Sequence, residues 1–175
     1  MSDFRLRWIQ TFKSLPRYAL RPWYPFALGA AAFSDYFIFI VPLDALVVAS
    51  FMAARKNWLR LNFLTTLGST LGAGLFALFI QNFGTGLIDQ LAPTLLHSDT
   101  AHAFSLWLAR YGFLSLVGIS ILPIHQHPTV AIAALAKVSL TQIFLALFLG
   151  RFLKYCLYYL LIRSAHLGFM RFFKE

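Results

Sequence analysis

Cysteine and acidic residues are scarce in this chain. Its 175 residues include one cysteine, Cys156, so an intrachain disulfide is excluded. Six residues are Asp or Glu, and Glu175 is the only glutamate. His125 and His127 stand two residues apart without a nearby Cys or Glu partner, so we predict neither a metal ion nor another cofactor.

Charged residues of every kind make up 12% of the chain, whereas 59% is hydrophobic and 17% aromatic. This composition is typical of a protein embedded in a bilayer. The 15 Lys and Arg residues outnumber the acids and give a net charge of +9. They flank apolar segments instead of lining a solvated face, which argues against nucleic acid as a partner. The sequence therefore predicts an all-α integral membrane protein with several transmembrane helices.

The basic residues indicate a topology. They cluster in residues 1–22, in residues 55–60 and from residue 151 onward, and cytoplasmic segments carry such an excess. Residues 83–109 contain no Lys or Arg, so we expect them on the opposite side. We predict that both termini are cytoplasmic and that no signal peptide is cleaved, because residues 1–22 alternate basic and apolar residues.

Three segments follow from these patterns. Residues 1–22 form a basic amphipathic N-terminal segment, in which Phe4, Trp8, Phe12 and Leu15 recur at helical spacing. Residues 23–170 form a single membrane domain, and residues 171–175 are a short basic tail. Within the domain, "GSTLGAG" (68–74) predicts a helix-packing face of small residues, namely Gly68, Gly72 and Gly74.

The stretch "FSDYFIFIVPLDA" (33–45) holds two acids in a strongly apolar region. An Asp at the centre of a membrane helix costs about 2.5–3.5 kcal/mol. Asp35 and Asp44 are nine residues apart, so a continuous helix would point them to opposite sides. A break near Pro42 would let a re-entrant hairpin aim both acids at one internal polar cavity. The alternative is that one or both acids cap helices at the membrane interface. If the acids are functional, they could exchange protons with a gradient or pair with Arg151 or Lys137.

A second polar interruption, "PIHQHP" (123–128), breaks the apolar chain in the second half. Paired interruptions in two halves indicate a transport site between repeats. We predict helix breaks at Pro123 and Pro128. His125 and His127 would take part in a proton-linked step or contact a lipid phosphate, or else form a polar loop at the surface.

Three basic residues follow this interruption. Lys137 lies in an apolar run, where it either marks the tip of a second hairpin, the interpretation we favour, or snorkels to water. It is also a candidate for phosphate-headgroup binding, together with Arg151 and Lys154. Arg151 and Lys154 lie in "GRFLKY" (150–155), which we expect to lead into a last span of about residues 155–169. On one helix close to the second hairpin, they could bind a phosphate headgroup or serve as cytoplasmic anchors.

Several of these stretches together resemble one family. "SDYFIFIVPLDALVVA", "GSTLGAG", "WLARYGFLSL" and "ILPIHQHPTVAIAALAKVSLTQIFLALFLGRFLKY" follow the order of motifs in the DedA family, also called the VTT or SNARE-associated domain. The similarity covers roughly residues 25–165 and is closest to the short YqaA-like branch. The family often has glutamates and a glycine where this chain has Asp35, Asp44 and Leu43, and arginines where it has His125 and His127.

The resemblance implies two opposed re-entrant helical hairpins and a location in the bacterial cytoplasmic (inner) membrane. It also implies a transporter or scramblase of a phospholipid or a polyprenyl-phosphate carrier, so we do not expect an enzyme. The acids and histidines could couple this movement to protons. Membrane lipids with anionic phosphate headgroups are then the expected partners, and a homo-oligomer is left open. The alternatives are an accessory factor for membrane homeostasis or assembly that does not itself move lipid, and a lipid phosphatase. The altered motifs indicate either a changed chemistry or a lost activity.

Overall fold

A computed structural model describes residues 18–38, 43–83, 99–122 and 126–172. Every regular element in these ranges is a helix, which confirms the all-α class for them. The α-helices are α1 (Tyr24–Ser34), α2 (Leu43–Ala53), α3 (Trp58–Phe83), α4 (Asp99–Tyr111), α5 (Phe113–Ile121), α6 (His127–Leu135) and α7 (Leu140–Phe172), and a short 3-10 helix (Arg55–Asn57) precedes α3.

Two long apolar helices, α3 and α7, form the centre of the fold. Arg55–Phe83 and Leu140–Ser164 are each long and apolar enough to cross a membrane. The helices run antiparallel. Near the start of α3, the Asn62 side chain donates a hydrogen bond to the carbonyl oxygen of Phe152 in α7, and near its end Gln81 donates one to Val138, just before α7 begins.

The other helices of the two halves are much shorter. In each half, two short helices separated by a break precede one long helix: α1, α2 and α3, then α5, α6 and α7. At 1.5 Å per residue, helices of 9–11 residues are about 14–17 Å long, roughly half of a bilayer's hydrocarbon thickness. The first short helix packs on the long helix of its own half, whereas the second also contacts the long helix of the other half.

The short helices and the two long helices pack into two apolar clusters. The α6 cluster joins α6 to the second half of α3 and the first turns of α7, including Val130, Ala77 and Ile143. The α2 cluster joins α2 to α1, to Leu61 near the start of α3 and to Tyr155 further along α7. Along α7, the residues between Leu147 and Tyr155 therefore lie where the two clusters meet.

Glycines allow the closest helix approaches. A Cβ atom at Gly68 of α3 would lie 2.7 Å from the carbonyl carbon of Gly29 in α1, and one at Gly72 would lie 2.5 Å from the oxygen of Phe33. In the second half, a Cβ at Gly150 of α7 would lie 2.7 Å from the carbonyl oxygen of Val117 in α5. Gly74 differs, because its nearest neighbour would be Cδ2 of Phe144 at 3.9 Å.

The main difference from the sequence prediction concerns α7. We expected "GRFLKY" (150–155) to lead into a separate last span, whereas the structure has one continuous helix from Leu140 to Phe172. Arg151 and Lys154 are 2% and 5% exposed within it. They are therefore core residues and not charges that flank a span. Lys137 lies in the exposed turn between α6 and α7, with a positive φ of 54°.

Some predictions concern residues outside the described ranges. These are the amphipathic helix of the N-terminal segment, the polar connection after α3, Pro42, Pro123, His125 and the end of the basic tail.

Candidate functional site

The first break begins where α1 ends. The hydroxyl of Ser34 donates a hydrogen bond to the carbonyl oxygen of Ala30, a local bond that competes with helix continuation. Residues 35–37 form turns, in which the N–H groups of Phe37 and Ile38 both bond to the Ser34 carbonyl. The turn directs Tyr36, which is 3% exposed, into the core. Asp35 and Asp44 are thereby on opposite sides of a break and not on one helix.

Proline chemistry shapes the second break. Leu122 ends α5 with an extended backbone (φ −72°, ψ 145°), the conformation preferred by a residue that precedes proline, and Pro123 follows it in the sequence. Pro128 stands in the first turn of α6, where its missing N–H leaves no helical hydrogen bond unmade. Gln126, just before α6, is 7% exposed and donates a hydrogen bond from Nε2 to the carbonyl oxygen of Ser120 over 3.0 Å.

The two breaks meet at Arg151. Its Nε donates a hydrogen bond to Oε1 of Gln126 over 2.7 Å, and its Nη2 donates one to the hydroxyl of Tyr36. The guanidinium carbon lies 5.2 Å from the centre of the Tyr36 ring. Nη1 is buried and has no hydrogen-bond partner among the residues that the structure describes. Within the same ranges, Arg151 forms no ion pair with a carboxylate.

Lys154, one turn further along α7, is charge-paired. Its ammonium donates to both carboxylate oxygens of Asp44, over 3.0 Å and 3.1 Å, and the hydroxyl of Tyr158 donates to Oδ2 over 3.3 Å. The ammonium also lies 5.1 Å from the centre of the Tyr155 ring. The Asp44 side chain is 39% exposed, so its carboxylate covers a buried ammonium and remains partly open to the surroundings.

His127 lies beside the Arg151 site. Its ring centre is 4.5 Å from that of Tyr36, and Nε2 is 3.4 Å from the backbone oxygen of Asp35. The first and second breaks are thus in contact at two places, through Arg151 and through His127. In the described residues, no group of three His, Cys, Asp or Glu side chains is placed to hold a metal ion.

The predicted site residues divide into two groups. Asp35, Asp44, His127, Arg151 and Lys154 lie at or near the meeting of the two breaks. Lys137 lies away from this group. Eleven residue steps of α7 separate Leu140, where the helix begins, from Arg151, so Lys137 is roughly 16 Å or more from Arg151 along the helix axis.

Tyr36, Gln126 and Tyr158 belong to the site although no sequence pattern predicted a role for them. Tyr36 stands among several aromatic residues in "DYFIF", where nothing distinguishes it. Gln126 carried a usable signal, because an amide in an apolar region needs hydrogen-bond partners when it is buried.

Comparison of the chain with family models, with curated proteins and with solved structures gives no match. Any functional assignment therefore depends on the residues and geometry described above.

Proposed function

We propose that this chain is an integral membrane protein of the DedA type that moves or scrambles lipids with a phosphate headgroup. In this proposal α3 and α7 span the bilayer in opposite directions. Each of the four short helices has about half the length needed to cross the bilayer, so the pairs α1–α2 and α5–α6 enter it as re-entrant hairpins. They enter from opposite faces, because each pair leads into the start of its own long helix and the two long helices run antiparallel. Non-helical backbone at membrane depth is tolerated where protein or a polar cavity covers it, and Asp35 and Tyr36 in the first break contact His127 at the end of the second.

The observation that carries the proposal is the state of Arg151. A buried guanidinium without a carboxylate is costly, and a buried donor without an acceptor adds to that cost. Tyr36 and Gln126 bind two sides of its planar fork, and no residue in the described part of the chain bonds to Nη1, which leaves that group for a ligand. Phosphate oxygens accept such charge-assisted hydrogen bonds well. A lipid with an anionic headgroup would remove both costs, because its phosphate would bind Arg151 while its acyl chains stay in the surrounding lipid.

The site lies at the level where the two apolar clusters meet. Broken helices that meet at a polar point between two repeats are typical of transporter binding sites. A headgroup bound there would have passed part of the way through the bilayer. The protein's task is then to lower the cost of placing a phosphate between two apolar layers.

The test uses purified protein in phosphatidylcholine liposomes that contain an acyl-labelled fluorescent phospholipid. Chemical quenching of the outer leaflet reports movement between leaflets. We expect Arg151→Gln to slow protein-dependent movement by about tenfold or more, the factor that corresponds to loss of a hydrogen bond to a charged group. Arg163→Gln is the matched control, because Arg163 is an exposed arginine on the same helix.

The wild-type result separates the alternatives. Absence of protein-dependent movement would overturn the proposal and favour an accessory role, and release of free phosphate would favour a lipid phosphatase. Equal rates for Arg151→Gln and wild type would show that headgroups do not use Arg151. Size-exclusion elution and helical content should match between variants before their rates are compared.

A further inference from the structure

We infer that the site selects phosphodiester headgroups, which carry one negative charge, over phosphomonoester headgroups, and that Asp44 sets this selectivity. The inference rests on the proposed function and assigns a substrate class to the same site. It depends on the charges that the structure brings together on adjoining turns of α7. Arg151 and Lys154 supply two positive charges and Asp44 one negative charge, so these three side chains, which we call the charge cluster, have a net charge of one positive.

The two cations are not equivalent. Lys154 is already neutralised, because both carboxylate oxygens of Asp44 accept hydrogen bonds from its ammonium. Tyr158 donates a further hydrogen bond to Asp44 and helps to hold the carboxylate over the ammonium. Among the residues that the structure describes, the hydrogen-bond partners of Arg151 are neutral: the Tyr36 hydroxyl and the Gln126 amide oxygen. One positive charge is therefore left for a ligand, and it is the one on Arg151.

Headgroup chemistry provides the discrimination. A phosphodiester carries a single negative charge, whereas a phosphomonoester carries about 1.5–2 at neutral pH. The first charge is matched by Arg151. A second negative charge would have no counterion among Arg151, Lys154 and Asp44, and it would meet the negative charge of Asp44, which is unfavourable where burial weakens solvent screening.

Asp44 is the group that can be changed to test this. Asp44→Asn leaves two uncompensated cations on α7, so the variant should accept a dianion. At an effective dielectric constant of about 20, removal of a unit charge within several ångströms shifts a ligand preference by about tenfold or more. Asp35 and His127 lie near Tyr36, and because they are the same in every variant compared, they do not contribute to the shift.

The probes are two labelled lipids with identical acyl chains, phosphatidylmethanol and phosphatidic acid. They differ by one methyl ester on the phosphate. Each is placed in phosphatidylcholine liposomes at about pH 8, where the monoester is largely a dianion. We expect wild type to move phosphatidylmethanol about tenfold faster than phosphatidic acid. We expect Asp44→Asn to remove or reverse this preference.

Two further variants separate charge from structure. The double variant Asp44→Asn with Lys154→Gln restores a single positive charge, so its preference for phosphatidylmethanol should return although the ion pair is gone. Lys137→Gln removes a positive charge in an exposed turn outside the cluster and should keep the wild-type preference. The double variant also provides a test if Asp44→Asn alone fails to fold, because it leaves no unpaired lysine.

The possible outcomes are distinct. If wild type moves neither lipid, the proposed function itself fails. If wild type moves both lipids and Asp44→Asn has the same preference as wild type, the proposed function stands and the role of Asp44 is refuted. A double variant that prefers phosphatidic acid would also refute it, because the net charge of the cluster would then not set the preference.

Discussion

The same substitution at two glycines of α3 should have opposite effects on stability. Gly68→Ala places a methyl group 2.7 Å from the carbonyl carbon of Gly29, where an ordinary carbon contact needs about 3.5–4.0 Å. The obstacle is backbone and cannot rotate away, so α1 must move by about 1 Å. Overpacking of this kind costs about 1–3 kcal/mol, and the helix propensity of alanine returns at most about 1 kcal/mol.

Gly74→Ala is the matched control. Its methyl group would meet only Phe144 Cδ2 at 3.9 Å, an ordinary contact, so the propensity gain of about 1 kcal/mol is not opposed. For a chain of this length, a change of 1 kcal/mol shifts the melting temperature by about 2–4 °C. Thermal unfolding in one detergent should therefore show Gly68→Ala melting several degrees below wild type and Gly74→Ala slightly above it. An equal shift of both variants in one direction would refute the close approach of α1 to α3.

Two further predictions concern the contacts of α7 with the start of α3. Asn62→Ala should lower the free energy of unfolding by about 1–3 kcal/mol, because the Asn62 side chain forms three hydrogen bonds: to the Phe152 carbonyl oxygen, to Cys156 Sγ and to the Thr66 hydroxyl. Asn82→Ala is the control, because it removes one hydrogen bond within its own helix and should lower the free energy of unfolding by less than about 1 kcal/mol. Trp58 and Tyr159 stack with ring centres 4.2 Å apart, so a double-mutant cycle with alanine should give a coupling energy of about 0.5–1.5 kcal/mol, and a coupling of zero would contradict the stack.

Local signals in the sequence were sufficient for much of the secondary structure. Pro128 is in the first turn of α6, and "GSTLGAG" (68–74), in which we predicted a helix-packing face, lies within α3. The acids and proline of residues 33–45 indicated a break, and α1 ends at Ser34 while α2 begins at Leu43. Each of these features follows from backbone chemistry within a few residues, which is why a single sequence can reveal it.

The long-range pairings could not be predicted in the same way. Arg151 and Lys154 in an apolar run are typical of the end of a span, and this pattern led to the wrong prediction that a separate helix follows. The charges are accommodated within α7 because their partners are Tyr36, 115 positions away from Arg151, and Asp44, 110 positions away from Lys154. Such pairings depend on helix packing that no local pattern specifies.

Gly150 connects the packing of α5 against α7 with the geometry of the candidate site at Arg151. Without a side chain at this position, α5 lies against α7, with Val117 and Ser120 at the contact. The carbonyl oxygen of Ser120 then accepts the hydrogen bond that orients Gln126, whose amide oxygen in turn accepts from Nε of Arg151. Arg151 is thus positioned through α5, the helix that can approach α7 closely because residue 150 is a glycine. The direction in which Nη1 points is therefore a consequence of a close helix contact, and a headgroup site at Arg151 requires α5 and α7 to remain at this separation.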